Sequence, residues 1–190
     1  IGLLSLALPA EVAPAVWSAL PDAMAYPVIS MDTENIEGLL PGKTCIAIGP
    51  GLGRATSFCD LLAMLLENGR PLVLDADALY ALAEDISLLK KKRGEVLLTP
   101  HPGEMARLCG VTTAEIVEDP QGFAEKFARN PGAVVLLKGG SSVIAAPDGR
   151  MAYITAGGPA LAQGGSSDLL CGIALAFLGP GPAASEAACG

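Results

Sequence analysis

Short apolar runs alternate with longer segments of helical period along this chain, and that alternation fixes the fold class before any motif is considered. Leu3 to Leu8, Tyr26 to Ser30, Thr44 to Ile48, Pro71 to Leu74, Val96 to Thr99 and Ala133 to Lys138 are runs of strand length. Between them, Glu11 to Leu20, Ala55 to Asn68, Ala78 to Ala83 and Gly122 to Arg129 carry the spacing of helices. Ser142 to Ala146 and Arg150 to Ile154, joined by Pro-Asp-Gly, read as a hairpin, and Ser167 to Leu178 as a closing helix. Strands apolar on both faces belong to a parallel sheet covered by helices. The order predicts one domain: a three-layer α/β/α sandwich with a mostly parallel central sheet.

Composition narrows what such a domain can do. A chain of 190 residues suits one α/β core. The net charge of −8 argues against non-specific nucleic-acid binding, and any anionic ligand must find local donors, a helix N-terminus or a metal ion. No apolar stretch approaches the ~20 residues of a membrane span. Five scattered cysteines without a C-x-x-C pair, beside a single histidine, argue against zinc and for reduced thiols in a cytoplasmic protein. The chain starts without Met or a charged leader and stops inside an alanine-rich pattern, as a fragment would.

In open α/β sheets, ligands bind beyond the carboxyl ends of the strands. Five motifs fall there. "GPGLG" (Gly49 to Gly53) follows the run ending at Ile48, and its glycines would let the backbone approach an anion or simply turn tightly into a helix. With Asp75 about 20 residues on, it also mimics a dinucleotide fingerprint, although no dehydrogenase acid or base accompanies it. "DADAL" sets Asp75 and Asp77 one residue apart, as Mg²⁺ ligands or with Asp77 as a helix cap. "TPHPGE" stiffens the loop around His101, with Glu104 opening a short helix. "KGG" puts the cation of Lys138 at a strand end. In "LAQGGSSDLLCG" (Leu161 to Gly172), Ser166 or Ser167 is a natural N-cap, with Asp168 in the first turn. The same geometry would stabilise a phosphoryl group while Asp168 takes a hydroxyl proton.

Taken in order, "GPGLG", "DADAL", "TPHPGE", "KG" and "GGSSDLLCGI" resemble the NAD(P)H-hydrate dehydratase family, the repair branch of the ribokinase-like superfamily. The resemblance runs over nearly the whole chain and implies that the family's N-terminal portion, with a glycine-rich substrate loop, and its last helices are missing. It implies dehydration of (S)-NADH or NADPH hydrate at the expense of ADP or ATP with Mg²⁺. The ring hydroxyl is phosphorylated and phosphate is then eliminated.

By this similarity Asp168 would be the base and would touch the substrate together with Gly51, Gly53 and His101. Lys138, Gly139, Gly140, Ser141, Ser142, Gly165, Ser166 and Ser167 would hold the adenine nucleotide. Glu104 and Asp75 would reach Mg²⁺ through water. The implied partners are small molecules, with a homo-oligomer or a fused or separate NAD(P)H-hydrate epimerase as further expectations. A kinase of a small hydroxymethyl ring or sugar, and a nucleotide-binding protein without turnover, are the rival readings. One position departs from the family's G-[ST]-G-D pattern: this chain has Ser167 where glycine is usual. Its Cβ can obstruct close phosphate approach, whereas an already helical backbone would accommodate it and its hydroxyl would add a donor.

Overall fold

A computed structural model of the chain describes residues 3–53, 58–155 and 165–178. Strands β3 (Ile46–Ile48), β4 (Leu72–Leu74), β5 (Val96–Leu98) and β6 (Val134–Leu137) run parallel, and β7 (Ser142–Ala145) and β8 (Met151–Ile154) continue the sheet as an antiparallel hairpin. The spatial order equals the chain order, β3-β4-β5-β6-β7-β8. Crossovers between parallel strands are right-handed, so a sheet extended steadily in one direction sends every crossover helix to the same face. That face carries α3 (Phe58–Glu67), α4 (Ala76–Glu84), a 3₁₀ turn (Ile86–Lys91), α5 (Pro102–Cys109), α6 (Thr113–Glu118) and α7 (Pro120–Arg129). Among the described residues, only α8 (Ser166–Leu178), which follows the hairpin, packs on the opposite face.

Side chains alternate as this layering requires. Leu72, Leu74, Val96, Leu98, Val135 and Leu137 face the large helical layer. Val73, Leu97, Val134, Leu136 and Ile144 meet Cys171, Ala174 and Leu178 of α8. Strands buried on both sides lack polar residues, which is why they read as unbroken apolar runs. The expected sandwich is present, with one difference. β1 (Ser5–Pro9) and β2 (Met24–Val28), linked by α1 (Ala13–Ala19), form their own two-stranded parallel sheet. It lies against the main body through Ala7 and through Lys43, whose Nζ donates to Ser5 Oγ at 2.7 Å.

Several short helices escape a reading by apolar period alone because caps specify them. α2 (Thr33–Glu37) is started by Asp32, which accepts from the backbone N–H of Asn35 at 3.0 Å. α6 is started by a reciprocal capping box between Thr112 and Glu115. α7, by contrast, is legible from Gly122 and begins two residues earlier, at Pro120 behind Asp119. Helices as short as α2 and α6 present too few apolar residues for a periodic signal.

Cys171 sits where α8 meets the sheet. Burial, reinforced by the charges of Asp75 and Asp168 and opposed by Lys138, pushes its thiol up to about 12 from an ordinary 9.0. The folded thiol keeps its proton to higher pH than the unfolded one. The unfolded state therefore loses protons first, and this residue erodes stability as pH climbs from about 9 toward 12. Native protein treated with iodoacetamide at pH 8 should stay unmodified at Cys171, and urea-unfolded protein should be alkylated there. Labelling of the native protein would show that α8 opens readily from the sheet.

Candidate functional site

The carboxyl ends of β3 to β6 are stitched together by backbone hydrogen bonds that step from loop to loop. The Asp75 N–H donates to Ile48 at 3.2 Å, Thr99 to Leu74 at 3.1 Å, and Lys138 to Pro100 at 2.8 Å. Four motifs are thereby held in a row, and α8 brings the fifth across the open face of the sheet.

The glycine-rich loop turns out of β3 with Gly49 at φ +135°, where a Cβ would lie 1.7 Å from the backbone oxygen of Asp75. Glycine is needed here for contact with the neighbouring strand end. Leu52 closes the turn on Gly49, and the exposed Gly51 and Gly53 follow with positive φ. The N–H of Gly53 donates to Asp77 Oδ2 at 2.8 Å. Asp77 thus ties the glycine loop to the first turn of α4 instead of capping its own helix, which corrects the sequence expectation. The contact joins residues 24 apart, and only the tertiary structure reveals it.

Asp75 occupies the position before α4, yet its carboxylate makes no cap. Ala76 follows at φ +46°, a left-handed conformation costly for a residue with a Cβ, and the carboxylate of Asp75 lies fully buried. One oxygen pairs with Lys138 Nζ at 2.8 Å, and the other accepts from Ser167 Oγ at 2.7 Å. Lys138 Nζ also donates to Ser167 Oγ, closing a three-membered ring of hydrogen bonds. Residues from the ends of β4 and β6 and the start of α8 meet in this ring. Both Asp75 oxygens thus bond inside the protein, a tie to the fold that the sequence did not suggest beside its water-mediated magnesium contact. Two of the three Lys138 ammonium hydrogens are likewise committed.

Ser167 corrects a second expectation. The helix starts at Ser166, after Gly165 at φ +87°, and Ser167 lies inside the first turn. Its hydroxyl points to Asp75 and Lys138 and does not cap. Asp168, next along the helix, is exposed, and no described residue pairs with its carboxylate. Gly139, Gly140 and Ser141 form an exposed turn between β6 and β7, with Ser142 opening β7. The glycine before Gly165 and the loop leading to it, residues 156–164, lie outside the described residues.

His101 has a structural task of its own. Its Nδ1 accepts from the N–H groups of Gly103 and Glu104 at 3.0 and 3.3 Å, and Glu104 Oε2 accepts from the His101 N–H at 2.8 Å. This is a capping box with histidine in the place usually held by serine or threonine. Because Nδ1 accepts, the ring proton resides on Nε2, which lies 3.5 Å from Glu104 Oε1. Glu104→Ala should cost about 1 kcal/mol of stability, read from urea unfolding. An unchanged midpoint would mean that the box contributes nothing.

Comparisons with known proteins identify the family and the fold. A family model described as NAD(P)H-hydrate dehydratase matches residues 1–190. The bifunctional NAD(P)H-hydrate repair enzyme of Moorella thermoacetica is 50% identical over 137 residues, which are 72% of this chain and 26% of that protein. A solved ADP/ATP-dependent NAD(P)H-hydrate dehydratase from Bacillus subtilis, co-crystallised with ATP and Mg²⁺, superposes with a TM-score of 0.82 at 31% identity. The match covers 99% of this chain and 66% of that one. A ribokinase-like protein of Enterococcus faecalis, 23% identical, shares the fold with a TM-score of 0.79 over 98% of this chain and 66% of its own. The chain thus spans about a quarter of the curated Moorella relative and about two thirds of the solved proteins.

Proposed function

The chain belongs to the NAD(P)H-hydrate dehydratase family, and we propose that it dehydrates (S)-NAD(P)H hydrate at the expense of ADP or ATP. The observation that carries this reading is Asp168, an exposed carboxylate with no described partner, in the first turn of a helix whose neighbouring Ser167 bonds to the ends of β4 and β6. The hydrate lies over Gly51, Gly53 and His101. The nucleotide phosphates lie between the turn Lys138 to Ser142 and the first turn of α8, including Gly165 and Ser166.

Asp168 takes the proton of the ring hydroxyl while that oxygen attacks the terminal phosphoryl group, and the shortened nucleotide leaves. The bond between the ring carbon and the phosphate oxygen then breaks with help from the ring nitrogen. The released phosphate or solvent takes a proton from the adjacent carbon, and the double bond returns. Phosphoryl transfer asks the protein mainly for placement and charge stabilisation. Backbone N–H groups at the start of α8 supply both to an anion.

The side chains fit a magnesium ion that arrives with the nucleotide. Among the described residues no three acidic, histidine or cysteine side chains gather into a metal cage, and Mg²⁺ normally keeps waters and phosphate oxygens, needing only one or two carboxylates. Glu104 would hold it through water. When bound, the ion neutralises phosphate charge that the −8 chain would otherwise repel.

The name of the Moorella relative supports fusion or partnership with a second repair activity, which we take to be an epimerase of the hydrate. No helix among the described residues is long and apolar enough to cross a membrane, and a cytoplasmic place suits reduced nicotinamide cofactors as substrates. The test is incubation with (S)-hydrate, Mg²⁺ and ADP or ATP while following NADH absorbance. Recovery that requires nucleotide supports the proposal, and recovery without nucleotide overturns it. Phosphorylation of a hydroxymethylpyrimidine or a sugar instead would make the protein a kinase. Tight nucleotide binding without turnover would make it a binding protein.

A further inference from the structure

We propose that Ser167 is a positioning residue: its hydroxyl clamps the first turn of α8 to the buried Asp75–Lys138 pair and so sets where Asp168 stands. The inference rests on the reading of Asp168 as the base. The Asp168 carboxylate has no described partner of its own, so its location is inherited from the backbone at the helix start. Among the described residues, the side-chain hydrogen bonds that tie this first turn to the strand ends all pass through Ser167. Further along, Cys45 Sγ meets the Leu175 carbonyl at 3.5 Å, at the far end of the helix.

A hydroxyl is the group the position requires. It must donate to Asp75 Oδ2 and at the same time accept from Lys138 Nζ, which a lone O–H does with its one proton and two lone pairs. Alanine or glycine would leave a fully buried carboxylate oxygen without its donor and would free the helix start from both strands. Threonine keeps the hydroxyl on the same carbon. The chain therefore replaces the backbone freedom of a glycine before the aspartate with a hydrogen-bonded anchor.

The test compares wild type with Ser167→Ala and Ser167→Thr well below the melting temperature of the weakest variant. Dehydration kinetics give kcat and KM separately, and amide hydrogen exchange reports on residues 166–170 in the nucleotide-free protein. Ser167→Ala should lower kcat roughly tenfold, because small misplacements of reacting groups carry penalties of up to 10²-fold. KM for the hydrate should stay within about twofold. Exchange at 166–170 should accelerate, and Ser167→Thr should restore both readouts. A Ser167→Ala enzyme with wild-type kcat, or a threonine variant that behaves like alanine, would overturn the inference even if melting temperatures fall. If wild type itself shows no turnover, the proposed reaction fails. The exchange measurement still decides whether Ser167 holds the helix start.

Discussion

Asp168→Asn is expected to lower hydrate turnover by at least about 10²-fold while leaving the melting temperature close to wild type. A positioned general base is worth roughly 10²–10⁴-fold. Asparagine keeps the size and much of the hydrogen-bonding capacity of aspartate but cannot accept the hydroxyl proton at neutral pH. Stability should hold because the carboxylate is exposed and no described residue pairs with it. An acid in the first turn of a helix gains only a few tenths of a kcal/mol to about 1 kcal/mol from the helix dipole. Steady-state kinetics and a thermal melt on the same preparation decide the matter. Near-wild-type turnover with a lowered melting temperature would reduce Asp168 to a helix-end charge. That outcome would remove the observation on which the proposed function stands.

Asp75→Ala is expected to destabilise the protein by about 3 kcal/mol, a large share of the 5–15 kcal/mol typical of a domain. The pair it breaks is unequal in burial: Asp75 is fully enclosed, whereas the Lys138 side chain keeps 17% of its exposure. The orphaned ammonium can lean toward solvent, which places the cost at the lower end of the range for broken buried pairs. The hydroxyl of Ser167 would lose its acceptor at the same time. Urea unfolding measures the loss. Asp75→Ala combined with Lys138→Met should recover much of it, because replacing both buried charges by apolar groups is often close to neutral. A single variant within about 1 kcal/mol of wild type would mean that the ring of hydrogen bonds adds little to stability, and that Asp75 is free for another task.

Much of the site was legible because local chemistry writes it in consecutive residues. The alternation of apolar runs with helical segments located β3 to β8 and the end of the sheet where loops gather. Pro-Asp-Gly announced the β7–β8 hairpin, and Glu104 at the start of α5 was visible from its dipole-compatible place. Asp168 could be singled out because it stands in the first turn of a helix, directly after two glycines and two serines. There an acid suits proton transfer beside a bound phosphate as well as it suits the helix dipole. Other features stayed hidden for an equally physical reason. The separation of β1 and β2 into their own sheet depends on strand pairing, which hydrophobic period does not encode.

The two aspartates of "DADAL" show where reading from sequence ends. Spacing placed them at a strand end and offered metal binding or capping, both of which are local uses. In the structure each carboxylate reaches across the fold, Asp77 to Gly53 and Asp75 to Lys138 and Ser167, partners separated by 24, 63 and 92 residues. Ser167 behaves the same way. The sequence marked it as a side chain that could crowd a phosphate, and the fold turns its hydroxyl inward to the buried ion pair. The sequence by itself determined the layers and the sheet end where the loops gather, and it offered Asp168 as a proton acceptor, because these readings follow from periodicity and from helix and turn chemistry within a few residues. Which polar groups meet beneath that surface was decided by the tertiary structure alone. A buried charge is stable only beside a partner, and the partner is whichever residue the packed strands bring within hydrogen-bond reach.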